Sequence, residues 1–262
     1  MRKVDVAIIG GTGVEAVSLD VGEPLRVGTP YGLAPPIFLG EVGGRTVAFL
    51  PRHGVSHDVP PHRVNYRASI FALHSLGVKR VIATSAVGAI NPKFKPSDLV
   101  APHDVVDFTK LRASTFYDSA AVTHIDVCEP YCPEIRSVLV AIAKRRGFKV
   151  YDRAVLACTD GPRFETPAEI EVFRRLGCDV VGMTGMPEAV LARELEMCYA
   201  SVCFVTNMAA GLERHLATSE MVRVARKTAP ILEQLLKEAV IHLPEKRRCR
   251  CGQALEGARF RG

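Results

Sequence analysis

Val4-Asp-Val-Ala-Ile-Ile-Gly-Gly-Thr-Gly13 is the stretch of this chain that decides the fold. Apart from Asp5, residues 4–9 are apolar, and the glycines that follow stop the run abruptly. A short apolar run that ends at glycines is typical of a buried strand entering a tight loop. The sequence therefore predicts a first strand inside a sheet, followed by a glycine loop.

Further strands and helices alternate along the chain. Strands are predicted at residues 47–50, 78–84, 180–183 and 199–206, and helices at residues 64–76, 133–146, 166–177, from Pro187 and at about 219–241. Thr166 and Glu169 form a capping-box pattern, and Gly77 and Gly147 follow the ends of two other helices. Alternation without a polar linker or repeat predicts a single-domain α/β fold, with a mixed, largely parallel central sheet flanked by helices.

The bulk composition excludes some classes of protein. The chain has 262 residues, 48% of them hydrophobic, which is enough to bury a sizeable core. It has no run of eighteen apolar residues and no N-terminal export signal, so we expect a cytoplasmic protein without a membrane partner. The net charge of +6 is spread along the chain, with one dense basic cluster at residues 246–250, and does not indicate a nucleic-acid partner.

The amide content indicates a thermophilic source. Asn occurs only at positions 65, 91 and 207, and Gln only at positions 234 and 253. These side chains are thermolabile, and their depletion accompanies adaptation to high temperature.

The glycine loop matches a dinucleotide-binding pattern. Gly11-Thr-Gly-Val-Glu-Ala16 satisfies G-x-G-x-x-A. That pattern requires a helix directly after the loop, whereas residues 21–36 contain three glycines and four prolines. A non-catalytic dinucleotide- or ligand-binding module is therefore the less favoured alternative. The loop suits a smaller anion such as phosphate.

Hydrogen-bond donors follow several of the predicted strands. Arg52 and His53 follow the strand at residues 47–50, Ser85 the strand at 78–84, and Thr184 the strand at 180–183. The carboxyl ends of strands meet at the crevice where α/β proteins bind ligands. A guanidinium fork, neighbouring donors and the loop containing Thr12 predict a phosphate site there.

Two other segments predict a site for a flat heterocycle. Thr159-Asp-Gly-Pro-Arg-Phe-Glu-Thr166 offers the Phe164 ring beside the Glu165 carboxylate, and Val205-Thr-Asn-Met-Ala-Ala-Gly211 offers the Asn207 amide. A carboxylate can accept the N1 hydrogen of a 6-oxopurine, whereas adenine presents a lone pair there. The Asn207 amide can donate to O6 and accept from a protonated N7. These residues therefore favour a 6-oxopurine.

Taken together, the motifs resemble the trimeric nucleoside phosphorylases, the family of purine nucleoside phosphorylase and methylthioadenosine phosphorylase. The resemblance spans nearly the whole chain and rests on residues 9–13, 52–54, 64–66, 161–164 and 183–188. It implies a distorted, barrel-like sheet and assembly as a homotrimer or a dimer of trimers. It also implies a pentosyltransferase of purine salvage with phosphate as co-substrate and no metal or organic cofactor.

The resemblance also assigns roles to residues. It implies phosphate ligands at Thr12, Arg52, His53, Ser85, Ala86 and Thr184. It implies nucleoside contacts at Phe164, Glu165, Met183, Asn207, Met208, Ala209, Thr218 and Met221, with His124 contributed by a neighbouring subunit. Asn207, Glu165 and His53 are the candidate catalytic residues. Family members acting on 6-aminopurines are expected to have a small residue in place of Glu165 and aspartates in place of Asn207 and Ala209.

The expected chemistry is phosphorolysis of inosine or guanosine to the free base and ribose 1-phosphate. Phosphate is already a nucleophile at neutral pH, so the protein must align it with the sugar and stabilise charge on the leaving purine. Thr218 stands where ordinary purine nucleoside phosphorylases resemble one another in having a histidine, which makes 5′-methylthioinosine a further candidate substrate. The alternative within the family is S-methyl-5′-thioadenosine phosphorylase.

None of the eight cysteines lies in a recognisable catalytic pattern. Cys249 and Cys251 belong to a basic C-terminal tail, residues 244–262, which we separate from the phosphorylase domain at residues 1–243. No second C-x-x-C or histidine partner completes four ligands, so no metal site is expected. The tail is either disordered or closed by a Cys249–Cys251 disulfide. The family resemblance suggests Cys132 and Cys198 as another pair.

Overall fold

The computed structural model of the protein describes residues 4–11, 22–118, 122–213 and 215–259. The strands are β1 (Val6–Gly10), β2 (Gly28–Thr29), β3 (Gly32–Leu33), β4 (Phe38–Val42), β5 (Arg45–Pro51), β6 (Arg80–Ala89), β7 (Leu99–Val100), β8 (Asp104–Asp107), β9 (Val150–Tyr151), β10 (Val155–Cys158), β11 (Val180–Gly182) and β12 (Cys198–Met208). The helices are α1 (Tyr66–Ser75), α2 (Pro133–Arg145), α3 (Pro167–Arg175), α4 (Glu188–Glu194) and α5 (Thr218–His242).

Strand β6 joins the parts of the central sheet. The main strand order is β4-β5-β1-β6-β11-β10-β8, and β12 also pairs with β6. Strand β12 continues to β7, which pairs with β9. The pairs β1–β5, β1–β6, β6–β12, β7–β9, β8–β10 and β10–β11 are parallel, whereas β4–β5, β6–β11 and β7–β12 are antiparallel. Because β6 has three neighbours, the sheet divides there, and the predicted mixed, largely parallel sheet is confirmed.

The sheet separates two apolar layers. Val6 and Ile8 of β1 pack in the layer that contains α2 and α5, whereas Ala7 and Ile9 pack in the layer that contains α1 and α4. Successive side chains of a strand point to opposite faces, so both faces of β1 are covered. All four side chains are fully buried. The first strand predicted from the sequence is confirmed as an interior strand.

The helix ends follow the signals in the sequence. Thr166 Oγ1 accepts a hydrogen bond from Glu169 N at 3.2 Å, and Thr166 N donates to Glu169 Oε2 at 2.7 Å, which completes the predicted capping box. Gly77 and Gly147 follow α1 and α2 with φ angles of 86° and 72°. Glycine adopts this left-handed conformation without the steric cost that other residues meet.

Several short strands were not predicted from the sequence. Strands β2, β3, β7 and β9 have two residues each, which is too short for periodicity to show. Strand β4 is only partly buried and contains a glycine and a glutamate in its middle. Such strands are defined by pairing with distant residues, which local patterns do not report.

The C-terminal segment packs against the domain. Arg80 Nη2 donates to the carbonyl oxygen of Pro244 at 2.6 Å, and Arg247 Nη1 donates to that of Glu196 at 2.8 Å. Cys251 is 2% exposed and belongs to the core layer of α2 and α5. The alternative of a disordered tail is therefore wrong for residues 244–259, because these hydrogen bonds and the burial of Cys251 attach the segment. Among the described residues, no helix is long and apolar enough to cross a membrane.

Asn65 joins the start of α1 to the backbone at Tyr31. Its Oδ1 caps α1 by accepting from Ala68 N at 3.0 Å, while its Nδ2 donates to Tyr31 O at 2.7 Å. We expect Asn65→Ala to lower the free energy of unfolding by about 1 kcal/mol more than Asn65→Asp, because aspartate retains the cap. Denaturant unfolding at fixed protein concentration measures both. Equal losses would assign the stabilisation to the bond with Tyr31 instead.

Candidate functional site

A cavity of about 530 Å³ lies at the carboxyl-terminal parts of β1, β5, β6, β11 and β12. Ten of the residues proposed from the sequence line it: Arg52, His53, Ser85, Ala86, Phe164, Glu165, Met183, Thr184, Asn207 and Met221. They come from six separate segments of the chain. The expectation that the loops after the strands converge is therefore met for these residues.

The other proposed residues lie elsewhere. Thr12 falls outside the described residues. Met208 and Ala209 follow Asn207 but do not line the described part of the cavity, and Thr218 is exposed at the start of α5. His124 is exposed and lines a different cavity of about 780 Å³. Within one subunit, His124 is thus not part of the site.

Arg52 is held at one end of the cavity by a buried ion pair. Its Nε and Nη2 donate to the two carboxylate oxygens of Glu188 at 2.5 and 3.0 Å, and its Nη1 donates to Thr84 O at 2.9 Å. Tyr199 also donates its hydroxyl to Glu188, at 2.7 Å. Both charged side chains are 1% exposed. This bidentate geometry fixes the plane of the guanidinium, so its remaining N–H groups have a defined direction.

The two partners keep each other charged. Burial alone would raise the pKa of Glu188, but the Arg52 guanidinium outweighs it and holds that pKa below its ordinary value. Burial alone would likewise lower the pKa of Arg52, but the carboxylate raises it. Gly11 leaves room for this arrangement, since a Cβ there would lie 2.8 Å from Arg52 Nη1. The glycine loop after β1 therefore requires glycine at position 11.

His53 is neutral in this environment. Burial, and then the neighbouring positive charge of Arg52, lowers its pKa to about 4. Its Nδ1 lies 2.8 Å from Val59 O. A carbonyl oxygen only accepts hydrogen bonds, so Nδ1 carries the proton and Nε2 presents a lone pair. His53 was predicted from the sequence to donate a hydrogen bond to an anion, whereas the structure gives it an acceptor at Nε2.

Ser85 of β6 and Thr184, two residues after β11, form a hydrogen bond in the same cavity as Arg52. Their hydroxyl oxygens are 2.8 Å apart, although the residues are 99 positions apart in the chain. Both side chains are buried. Hydroxyl groups rotate and can donate to a bound anion. With Arg52, they make this end of the cavity rich in hydrogen-bond donors.

Asn207 is aimed into the cavity by a bulge in β12. Val205 pairs with Val87 and Asn207 with Gly88, so Thr206 is an extra residue on this strand. Bulges redirect side chains in this way. Thr206 Oγ1 donates to Asn207 Oδ1 at 2.7 Å, and Asn207 Nδ2 donates to Met208 O at 2.8 Å. These bonds fix which end of the amide accepts and which donates.

Glu165 is oriented by a second threonine. Thr159 Oγ1 donates to Glu165 Oε1 at 2.8 Å, which leaves Oε2 to accept from a ligand. Phe164 lines the same cavity. Gly88, the register partner of Asn207, lies three residues beyond Ser85 on β6, or about 10 Å at the usual rise of a strand. The aromatic and amide end is thus separated from the anion end, with room for a sugar between them.

Arg112 is the main residue that the sequence analysis missed. Its side chain is 2% exposed, and its Nη2 donates to the carbonyl oxygens of Thr159, Asp160 and Met183 at 3.1, 3.0 and 2.8 Å. Its Nη1 donates to Met186 O at 2.5 Å. One guanidinium thus ties the loop after β10 to the loop after β11. The signal was weak, because Arg112 lies in a loop without a motif.

Glu188, Thr159 and Thr206 were also missed as site residues. Glu188 belongs to a motif used for the family resemblance, but no role was assigned to it. A lone glutamate in an apolar helix start was a usable signal, since a buried carboxylate requires a partner. The two threonines stand beside Glu165 and Asn207 in space, and only Thr206 is adjacent in sequence.

A set of metal-ligating residues lies away from the cavity. Cys132, Cys198, Cys249 and Cys251 place their sulfur atoms within 4.8 Å of one another. The premise that no residues complete a set of four ligands with Cys249 and Cys251 was wrong, because Cys132 and Cys198 are brought there by the fold. None of the four lines the cavity described above.

Comparisons with known proteins identify the family. The family model described as "Phosphorylase superfamily" matches residues 5–241. The chain belongs to this superfamily. The family resemblance drawn from the sequence is thereby confirmed.

Curated members of the phosphorylase superfamily resemble the chain over almost its full length. A protein of Pyrococcus furiosus named 6-oxopurine nucleoside phosphorylase is 49% identical over 261 residues, which cover 97% of this chain and 98% of that protein. A protein of Methanopyrus kandleri named probable S-methyl-5′-thioinosine phosphorylase is 50% identical over 259 residues, which cover 97% of this chain and 98% of the relative.

Solved structures of phosphorylases confirm the fold. Methylthioadenosine phosphorylase from Schistosoma mansoni in complex with adenine superposes with a TM-score of 0.92 at 30% identity, covering 98% of this chain and 99% of its own. A methylthioadenosine phosphorylase from an antarctic soil metagenomic library gives a TM-score of 0.92 at 35% identity, covering 99% and 93%. The predicted nucleoside-phosphorylase-like fold is therefore correct.

The neutral state of His53 predicts how stability depends on pH. The pKa of about 4 in the folded protein lies below the ordinary value of 6.5, so the unfolded chain takes up the proton first on acidification. This contribution to stability is present above pH 6.5 and is lost as the pH falls to about 4. We expect the free energy of unfolding to fall in this window by roughly 3 kcal/mol more than in His53→Asn.

Denaturant unfolding at several pH values between 7 and 4 measures this difference. Asparagine retains a donor for Val59 O but does not titrate, which makes it the matched variant. Parallel curves for the two proteins would show that His53 is not the group that takes up the proton.

Proposed function

We propose that this protein is a 6-oxopurine nucleoside phosphorylase, which cleaves inosine or guanosine with phosphate to a free purine and ribose 1-phosphate. The observation that carries the proposal is the presence of Glu165 and Asn207 in one cavity with Arg52, Ser85 and Thr184. A purine and an anion can then bind in the same cavity with a sugar between them. The printed name of the Pyrococcus furiosus relative supports the same activity.

The proposed phosphate ligands are Thr12, Arg52, His53, Ser85, Ala86 through its backbone amide, and Thr184. Arg52, Ser85 and Thr184 donate hydrogen bonds to the phosphate oxygens. Monohydrogen phosphate also has one P–OH group, which is a donor and needs an acceptor. Nε2 of the neutral His53 supplies that acceptor. His53 therefore favours phosphate in the form that keeps one proton and turns its charged oxygens toward the other ligands.

The chemistry transfers a ribosyl group. A phosphate oxygen forms a bond to C1′ while the bond from C1′ to purine N9 breaks, and the electron pair of that bond stays on the purine. The ligands around Arg52 hold the nucleophile in line, which accounts for the entropic part of catalysis. As the bond breaks, N7 of the base takes a proton from water. Asn207 Oδ1 accepts a hydrogen bond from this N7–H while Asn207 Nδ2 donates to O6, which stabilises the leaving base. No metal or organic cofactor takes part.

Base preference depends on the orientation of two side chains. Thr159 occupies Glu165 Oε1, so Oε2 faces N1–H of a 6-oxopurine. Adenine presents a lone pair at N1, which meets the carboxylate unfavourably. A buried polar group left without a partner costs about 1 to 3 kcal/mol. Mismatches at both Glu165 and Asn207 then make kcat/KM for a 6-oxopurine nucleoside about tens to thousands of times higher than for a 6-aminopurine nucleoside.

The 5′ end of the nucleoside is covered by the start of α5 in this proposal. Met221 and Leu216 line the cavity, whereas Thr218 is exposed beside them. An apolar lining suits a methylthio group as well as a hydroxyl-bearing carbon. 5′-Methylthioinosine is therefore included among the substrates, and the Methanopyrus kandleri relative bears a name of this kind.

The second candidate is S-methyl-5′-thioadenosine phosphorylase. A relative of this name from Pyrococcus horikoshii is 44% identical over 252 residues. The fold and the anion end of the cavity suit both activities equally. Glu165 and Asn207 are the residues that favour the 6-oxopurine.

The resemblance to trimeric enzymes adds the assembly and the setting of the reaction. We propose a homotrimer or a dimer of trimers in which the exposed His124 reaches the nucleoside site of a neighbour. We also propose that the enzyme serves purine salvage in the cytoplasm.

The first experiment measures release of free base from four nucleosides with and without phosphate. The panel is inosine, guanosine, 5′-methylthioinosine and 5′-methylthioadenosine. We expect phosphate-dependent release of hypoxanthine and guanine and little adenine. Dominant adenine release would favour the second candidate, and release without phosphate would contradict phosphorolysis.

Base preference is tested by exchanging the two polar groups. We expect Glu165→Ser with Asn207→Asp to lower the ratio of kcat/KM for inosine over adenosine by at least tenfold, because the N1 carboxylate is lost and an acceptor for the 6-amino group is gained. Glu171→Ser, which removes an exposed carboxylate of α3, is the matched control. An unchanged ratio in the double variant would disprove these roles.

Arg112 is expected to position the nucleoside more than the phosphate. It holds the carbonyl groups of residues 159, 160, 183 and 186, whereas Arg52 is fixed by Glu188 and Thr84. We expect Arg112→Lys to raise the KM for inosine by about tenfold or more, because lysine cannot bind the carbonyls of both loops. The KM for phosphate should rise less, because among the described phosphate ligands Thr184 lies in a loop that Arg112 holds, whereas Arg52 does not. Equal changes in both constants would indicate general disruption of the site.

A further inference from the structure

Four cysteines from distant parts of the chain form one group of sulfur atoms. Cys132 precedes helix α2, Cys198 begins strand β12, and Cys249 and Cys251 lie in the C-terminal segment. All four sulfur atoms lie within 4.8 Å of one another, and those of Cys198 and Cys249 are 3.4 Å apart. We call this group the four-cysteine cluster. The other four cysteines do not belong to it.

The cluster has the burial and enclosure of a structural metal site. Cys132 and Cys198 are fully buried, Cys251 is 2% exposed, and Cys249 is half-buried. The surrounding backbone is held in place: Cys132 N donates to Tyr199 O at 2.7 Å, and Arg248 N donates to Glu134 Oε1 at 3.1 Å. The ligand atoms are thus placed by the fold before any ion arrives.

The distances suit a tetrahedral ion. Zinc binds thiolates at about 2.3 Å, and the edges of such a tetrahedron are about 3.8 Å long. The sulfur atoms of the cluster need to move by about 1 Å or less to reach this geometry. A set of four protein sulfurs leaves no position for water, which is typical of a structural and not a catalytic site.

The charges near the cluster also fit. Four thiolates around Zn²⁺ carry a net charge of −2, which is unfavourable in a buried place without compensation. Arg247 Nη1 lies 4.0 Å from Cys198 Sγ, and the same guanidinium donates to Glu196 O. Arg247 of the C-terminal segment thus supplies positive charge beside the sulfurs. Hydrogen bonding of this kind supports metal thiolates.

We propose that the protein, with its thiols reduced, binds one Zn²⁺ per chain in the four-cysteine cluster. The ion displaces up to four thiol protons to solvent and forms four zinc–sulfur bonds, and no electrons are transferred. Disulfides between Cys249 and Cys251 and between Cys132 and Cys198 use the same sulfur atoms and need an oxidant. The metal and the disulfides therefore exclude each other.

The ion would fasten the C-terminal segment to α2 and β12. Cys198 and Asn207 are nine residues apart on β12, or roughly 30 Å, so the metal stands far from the proposed chemistry. The same C-terminal segment also contacts the backbone around His124. Ala258 O accepts a hydrogen bond from His124 N at 2.8 Å, and Arg259 forms a β-bridge with Thr123. Anchoring residues 249–251 therefore also supports the backbone of His124.

The test uses the full chain, reduced without oxygen until all eight thiols react with a thiol reagent in denaturant. The folded protein is then incubated with Zn²⁺ or Co²⁺, and unbound metal is removed. We expect one metal per chain, thiolate-to-cobalt charge-transfer and visible bands of a tetrahedral site with Co²⁺, and a higher Tm with Zn²⁺.

Two variants separate the cluster from adventitious binding. Cys249→Ser with Cys251→Ser should lose the metal and the metal-dependent rise in Tm, while Cys128→Ser, which removes an exposed cysteine outside the cluster, should retain both. Metal below about 0.2 per chain in the reduced wild type would overturn the proposal, as would equal retention by the double variant. Neither result bears on base release, so the outcome is independent of the proposed enzyme activity.

Discussion

The ion pair between Arg52 and Glu188 is the interaction on which the anion end of the cavity depends. It joins the end of β5 to α4, and the bonds to Thr84 O and from Tyr199 add β6 and β12. Removing one member of a buried pair leaves an isolated charge, which costs about 3 to 5 kcal/mol. Because each buried charge needs its partner, the ion pair holds the end of β5 and helix α4 in a fixed arrangement with β6 and β12. The close approach of Gly11 to the guanidinium follows from the same packing.

The base end is positioned by a different means. Strand β6 carries both ends of the cavity, because Ser85 and Gly88 lie on it, and its partner β12 carries Asn207. The bulge at Thr206 turns the Asn207 side chain, and the Thr206 hydroxyl then sets the direction of its amide. Arg112 fixes the loops after β10 and β11 by binding their carbonyl groups. Hydrogen bonds from Arg112 to backbone carbonyl groups define this end, together with the ion pair between Arg112 Nε and Asp160 Oδ1 at 3.3 Å.

The sequence predicted those features that local patterns encode. The first strand, the Thr166 capping box and the lining residues from Arg52 to Asn207 follow from apolar runs, cap residues and motifs at strand ends. Features that depend on distant partners were not predictable in this way. The tautomer of His53 is set by its contact with Val59 O, and the role of Arg112 depends on carbonyl groups in loops far along the chain. The four-cysteine cluster likewise joins residues as distant as 132 and 251. Because the sequence alone does not show which distant residues come into contact, it does not reveal such partners.

The anion end has little net charge, which bears on how phosphate would react there. Arg52 is already neutralised by Glu188, and His53 is uncharged. In the proposed role, phosphate would be held by directed N–H and O–H groups and by an acceptor for its own proton. Among the described lining residues, the paired Arg52 is the one Arg or Lys side chain that could withdraw electron density from its oxygens. A weakly neutralised phosphate keeps its nucleophilic character, and its negative charge favours the positive sugar that develops in the transition state. The buried ion pair therefore provides both rigid positioning and a nearly neutral surface, and the second property is what suits an anion that must also act as a nucleophile.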